Sequence, residues 1–143
     1  MFLLDTNIVS ELRKRDRANP GLIRFVRDLA RQQQAQHINL AYISVITVGE
    51  LRRGVELIRH RGDTPQADAL ESWLQNLLLD YGTHILEFGS EEAQVWGHLR
   101  VPHPENALDK MLAATALVYD LTLVTRNERD FAGTGVKLVN PFT

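Results

Sequence analysis

Four acidic residues stand where a folded chain could use them for chemistry. Asp5 ends the apolar opening Phe2-Leu3-Leu4 and precedes Thr6-Asn7, and Glu50 lies in SVITVGELRRG. Asp109 lies in LDKMLAATALVY, where only Asp109, Lys110 and Thr115 are not apolar, and Asp130 lies in TRNERDF. If strand ends and helix starts converge, these carboxylates share one pocket. Two bare carboxylates about 4 Å apart repel by roughly 4 kcal/mol at an effective dielectric near 20. A fold tolerates that with some protons held or with a cation. An all-oxygen donor set suits Mg²⁺ or Mn²⁺ rather than zinc. The histidines (His37, His60, His84, His98, His103) show no metal-binding spacing and read as surface or capping residues.

Each acid also has a plainer role. Asp5 can cap a helix or close an Asx turn. Glu50 completes a capping box with Thr47, although Ser44 is an equally good cap and would place Glu50 in the second helical turn. Asp109 lies beside an apolar stripe, above Ala113 on a helical wheel, so it is partly desolvated. An ion pair or a place near the helix start would answer that cost. Asp130 can be a solvated turn residue, and Asn127 in the same loop is a second polar candidate.

The elements that would position these residues alternate. FLLD (2–5) reads as a short buried strand, and TNIVSELRK turns helical. The turn Ala18–Gly21 leads into a helix carrying Leu22, Phe25, Val26 and Leu29. Ile38–Ser44 is a second strand, followed by a helix to about Arg61. Thr64 as cap and Pro65 in the first turn start the next helix. His84–Phe88 is a third strand, and Ser90 caps a helix whose Glu91 and Glu92 suit its positive end. Val101–Pro104 breaks the chain, a helix runs from about Glu105 to Tyr119, and Leu121–Thr125 and Val136–Asn140 are the last strands. This alternation implies an α/β layer fold with a largely parallel sheet covered on both faces. Ligands of such sheets bind beyond the carboxyl ends of strands, at the switch point. Asp5 and Thr125 both fall at such ends.

The 143 residues suit one domain, 1–143, and the 44% hydrophobic content can fill a core. There are no cysteines, so no disulfides and no thiolate metal site, which fits a reducing cytoplasm. No stretch is long and apolar enough for a signal peptide or a spanning helix, so no membrane role is expected. Residues 1–62 carry 11 Lys/Arg against 6 Asp/Glu, and residues 63–143 carry 5 against 12. Arginine outnumbers lysine 13 to 3, and its planar fork suits phosphate. The asymmetry permits a nucleic-acid or acidic partner, although RKRDR (13–17) alone also reads as a solvated helix face.

LLDTN, SVITVGELRRG, LDKMLAATAL and LVTRNERDF occur in the order found in PIN-domain proteins. The chain resembles most closely the VapC-type toxins of bacterial toxin–antitoxin pairs, in the FitB-like branch, and the resemblance covers essentially its whole length. It implies a three-layer α/β/α sandwich with a parallel five-stranded sheet. It implies a Mg²⁺- or Mn²⁺-dependent ribonuclease acting on RNA, a homodimer, and inhibition by a VapB/FitA-type antitoxin, with DNA contacted only through that antitoxin. The family's acidic positions fall on Asp5, Glu50, Asp109 and Asp130, and its supporting polar positions on Thr6, Asn7, Thr125 and Asn127. Many PIN domains carry an acid where this chain has Asn127, so the fourth acidic position is assigned to Asp130.

On that resemblance, Asp5 and Asp109 are the main metal ligands, and Glu50 and Asp130 hold a second metal or bound waters. Arg52, Arg53 and Arg126 flank the site and are candidates for neighbouring phosphates. Two other readings stand beside it. A Mg²⁺-dependent phosphatase or phosphotransfer domain would often carry a second aspartate two residues after the first, where this chain has Asn7. A non-catalytic binding module would use the acidic pocket to receive a partner's arginine.

Overall fold

The computed structural model describes residues 1–143. The strands are β1 (Phe2–Leu4), β2 (Ala41–Ser44), β3 (Ile85–Leu86), β4 (Thr122–Val124) and β5 (Leu138–Val139). The helices are α1 (Thr6–Leu12), α2 (Pro20–Gln36), α3 (Val45–His60), α4 (Thr64–Tyr81), α5 (Ser90–Leu99) and α6 (Ala107–Val118). The sheet runs in the order β3-β2-β1-β4-β5, and every pairing is parallel. The strands are shorter than the apolar runs that announce them, because only the segments facing a neighbour complete a ladder.

Period-two alternation assigns the two faces. Leu4, Ile43 and Val124 point into a core that also takes Ile8 and Val9 of α1, Leu22 and Leu29 of α2, Leu51 and Val55 of α3 and Leu74 of α4. Leu3 and Leu123 point the other way, onto Leu112, Ala113 and Ala116 of α6 and onto Phe131. The small residues of α6 let it lie close to the sheet and to α5. The result is the expected α/β/α sandwich, with four helices on one face and two on the other.

Helix starts differ in detail from the sequence reading. Ser44 caps α3, its Oγ accepting from Ile46 N at 3.0 Å. Thr47 therefore lies inside the helix and Glu50 in its second turn. Asp63, not Thr64, caps α4, because its carboxylate reaches Gln66 N at 3.2 Å, while Pro65 sits in the first turn as expected. Gly89, not Ser90, is the cap position of α5, since Glu92 reaches back to Gly89 N at 3.1 Å and leaves Ser90 inside the helix.

The carboxyl-terminal segment packs tightly against the start of α2. Asn19 Oδ1 accepts from Gly21 N, Leu22 N and Thr143 N at 3.0, 3.3 and 3.1 Å. A Cβ on Gly21 would stand 2.2 Å from Pro141 O, so only glycine fits there.

Candidate active site

The strand order places the switch point between β1 and β4, whose successors run to opposite sides of the sheet. Asp5 follows β1, and Thr125 follows β4. Both are buried, with relative exposures of 4% and 0%. Asp5 N donates to Val124 O at 2.9 Å, which extends the ladder by one bond and fixes where the carboxylate begins.

Asp5 is the N-cap of α1, and its carboxylate is heavily hydrogen-bonded. Oδ1 accepts from Thr6 N at 2.7 Å. Oδ2 accepts from Thr125 Oγ1 at 2.7 Å and from Asn7 Nδ2 at 3.1 Å. Thr125 Oγ1 in turn accepts from Asn127 N at 3.0 Å, so the two loops lock together. Burial nevertheless pushes Asp5 above the ordinary carboxylate range, against these bonds and with help from the negative charge of Asp130.

Glu50 reaches the same place from α3. Thr6 Oγ1 donates to Glu50 Oε1 at 2.8 Å and lies 3.0 Å from Thr47 Oγ1. Asp109 enters from the first turn of α6, where the helix dipole favours an anion. That help is outweighed. Burial, followed by the charges of Asp5, Asp130 and Glu50, pushes Asp109 up to about 6, and no cation or donor opposes them. The ion pair considered for Asp109 therefore does not form. Its neighbour Lys110 is buried and turns away to donate to His103 O. Asp130 comes from a short 3₁₀ turn, Glu128–Phe131, anchored by the buried Phe131.

These four acids, with Thr6, Asn7 and Asn127, line one open pocket of about 510 Å³ that has no apolar residue in its wall. Thr125 stands behind Asp5. Four further residues complete the wall: Ser10 and Glu11, which no motif marked, and Arg13 and Lys14 of the RKRDR run, which as a run reads as a solvated face. Helical spacing carries a signal for three of them, since Ser10, Glu11 and Lys14 follow Asn7 at i+3, i+4 and i+7 along a polar stripe, whereas Arg13 falls off it.

The arginines expected to flank the site divide. Arg52 forms a double ion pair with Glu71 of α4, at 2.6 and 2.7 Å, and a further contact to Glu56 at 3.2 Å. Its fork is occupied, and it does not line the pocket. Arg53 is exposed on α3, also outside it. Arg126 lines an adjoining hollow with Asn127 and Asp130, its guanidinium 5.0 Å from the Phe142 ring centroid.

The donor chemistry suits a hard divalent cation: oxygen atoms only, an excess of negative charge, and no cation paired to Asp5 or Asp109. No buried side-chain polar atom lacks a partner, so the unbonded carboxylate oxygens open onto the pocket. The acids converge on one pocket but do not close on one point: no three acidic or histidine side chains stand near enough to hold a single ion between them.

Fold and pocket define a class: a three-layer α/β/α protein with an acid-lined hollow at the carboxyl edge of an all-parallel sheet. Within that class the chain belongs to the PIN-domain family, whose model matches residues 2–137. It is 30% identical to toxin FitB of Neisseria gonorrhoeae over 148 residues, covering 99% of both chains. It is 29% identical to plasmid stability protein StbB of Pseudomonas syringae over 149 residues, again covering 99% of both. A VapC ribonuclease of Sinorhizobium fredii is 28% identical over 148 residues, with 99% of this chain and 98% of that one covered. The crystal structure of FitAcB from Neisseria gonorrhoeae superposes with a TM-score of 0.81 at 31% identity, covering 99% of this chain and 98% of that chain.

Proposed function

We propose that this protein is a Mg²⁺- or Mn²⁺-dependent endoribonuclease, the toxin of a toxin–antitoxin pair, acting in the cytoplasm. One observation carries the reading: four carboxylates, from the end of β1, from α3, from α6 and from the β4–β5 loop, line one pocket with no protein cation paired to Asp5 or Asp109. Relatives named as a toxin and as a ribonuclease support it, as does the likeness to FitAcB. The partner that follows is a FitA/VapB-type antitoxin, with DNA contacted through it, and the assembly a homodimer.

Asp5 and Asp109 would hold the metal, with Glu50 and Asp130 completing its surroundings or holding waters. When bound, the ion supplies charge neutralisation and a nucleophilic water at neutral pH. The chain's own residues do the rest. Thr6 N, Thr125 and Asn7 hold Asp5 in one rotamer, and Thr6 Oγ1 holds Glu50. Asp109 has no internal partner, so it would be free to take its place beside a bound ion without breaking a bond. Hydrolysis of the RNA phosphodiester leaves 5′-phosphate and 3′-hydroxyl ends. Arg126, in the adjoining hollow, is available to a neighbouring phosphate, and Arg53 is exposed outside the pocket. Arg52 is held by Glu71. A phosphotransfer role is disfavoured because the position two residues after Asp5 is Asn7, which donates to the carboxylate a nucleophile would need free.

The test is RNA cleavage by the purified protein. Activity should vanish in excess EDTA, return with Mg²⁺ or Mn²⁺, and be lost in Asp5→Asn and Asp109→Asn. Undiminished cleavage in EDTA, or by those variants, would overturn the reading. A metal-indifferent protein that binds a partner without cutting RNA would favour the binding-module alternative.

A further inference from the structure

We propose that Arg13 is the contact through which this protein grips the RNA backbone next to the cleaved bond, its guanidinium taking the phosphate adjacent to the one in the acidic pocket. The inference rests on the ribonuclease reading above and goes beyond it by naming a residue that neither the sequence motifs nor the family positions single out.

A polyanionic strand cannot be held by carboxylates. A bound metal neutralises charge at the reacting phosphate, but the next phosphate along the strand still meets the negative wall of Asp109, Asp130 and Glu50. A cation at the rim has to receive it. Only Arg13 and Lys14 among the basic residues line the acidic pocket itself; Arg126 lies in the adjoining hollow, against the Phe142 ring. Lys14 is committed to Glu11 at 2.8 Å. Arg13 enters no ion pair of the protein, whereas Arg52 and Arg59 are bound to Glu71 and Asp68.

The position of Arg13 strengthens the case. It is the C-cap of α1, the helix that Asp5 caps at its other end, so one rigid seven-residue element sets both groups. It is exposed, so a phosphate can reach it without unburying anything. It also lines two of the hollows beside the acidic pocket, so a strand leaving the pocket on that side passes it. Arg15, with no ion pair of its own, continues the basic ridge along one of those hollows. A planar guanidinium can bind two phosphate oxygens at once, which a lysine there could not.

The experiment is steady-state cleavage of a single-stranded RNA oligonucleotide with Mg²⁺ across a salt series, for wild type, Arg13→Ala, Arg13→Lys and Arg24→Ala. Arg24 is an exposed α2 arginine that does not line the pocket, so it matches the loss of charge alone. Arg13→Ala should raise KM about five- to tenfold with kcat little changed, and reduce the slope of log(1/KM) against log salt by about 0.7. Arg13→Lys should keep the slope and recover part of the affinity, and Arg24→Ala should behave as wild type. Thermal melts confirm that each variant is folded. An unchanged KM and slope in Arg13→Ala would overturn the proposal, as would an equal loss in Arg24→Ala or a loss confined to kcat. If wild type itself fails to cleave RNA, the ribonuclease reading falls and this inference with it. If wild type cleaves and Arg13→Ala matches it, only this inference falls.

Discussion

The hydroxyl of Thr125 donates a 2.7 Å hydrogen bond to Oδ2 of Asp5 across the switch point between β1 and β4. The two residues are 120 apart in sequence; Thr125 is fully buried, and Asp5 is buried except where it meets the pocket. The bond favours the charged form of Asp5 against its burial. Thr125→Val keeps the shape and removes the donor, leaving a buried carboxylate oxygen with one partner fewer. The fold should lose about 1–3 kcal/mol. Asp5 should rise further, so the acid limb of the cleavage pH profile should move to higher pH, with Thr125→Ser restoring it. A profile that does not move in Thr125→Val would show that Thr125 only packs.

A second buried threonine acts at one remove. Thr6 Oγ1 spends its single proton on Glu50, so at the 3.0 Å contact between Thr6 and Thr47 the proton must come from Thr47. Thr47 is fully buried and has no other side-chain partner. It therefore orients Thr6, which orients Glu50. Thr47→Val should reduce kcat by roughly three- to tenfold, the scale of one lost hydrogen bond of about 1 kcal/mol. Thr47→Ser should rescue kcat, and KM should hold in both. Loss of stability without a kcat effect would make Thr47 a packing residue only.

The features most legible in the sequence were those written in short-range patterns. Phe2-Leu3-Leu4 before Asp5 gave a strand and its rim, and the apolar Leu108–Tyr119 run gave a buried helix with one misplaced charge. The choice between Ser44 and Thr47 as cap was open in sequence, because both match the pattern, and was settled by strand β2 continuing to Ser44. The fate of Arg52 was not legible at all. Glu71 lies nineteen residues away on another helix, and only the packing of α3 against α4 brings the two together. Arg13 was hidden for the opposite reason. RKRDR looks like a solvated face, and nothing local says that a pocket opens beside its first residue.

The carboxyl-terminal clamp gives a prediction independent of function. Gly21 has Pro141 O where a side chain would begin, 2.2 Å from an ideal Cβ, and Thr143 N at 3.0 Å. Backbone atoms cannot swing aside as a flexible side chain can. Gly21→Ala should expel the last residues from the start of α2 and destabilise the fold by about 1–3 kcal/mol. Urea unfolding measures this directly. If deleting residues 141–143 costs as much and the alanine adds nothing on top, the clash with the tail is the cause. Wild-type stability in Gly21→Ala would mean the segment relaxes freely.

Asp109 ties stability to the site with a sign that can be checked. Its carboxyl is pushed up from 3.8 to about 6 by burial and by Asp5, Asp130 and Glu50. The native state thus binds its proton more tightly than the unfolded chain does. Stability from this group is fully present below about pH 4 and is lost as pH rises through about 6. In metal-free protein at neutral pH, Asp109 is therefore destabilising, by about 1 kcal/mol once its partial exposure and solvent screening are allowed for. Asp109→Asn removes that charge. In EDTA it should melt roughly 3 °C above wild type at pH 7.5, with the difference vanishing toward pH 4. Mg²⁺ or Mn²⁺ should reverse the order, raising the wild-type Tm while leaving Asp109→Asn almost unmoved. A variant no more stable than wild type in EDTA at neutral pH would mean that Asp109 is relieved by a group other than the metal. Equal metal-induced shifts in both proteins would remove Asp109 from the metal's surroundings.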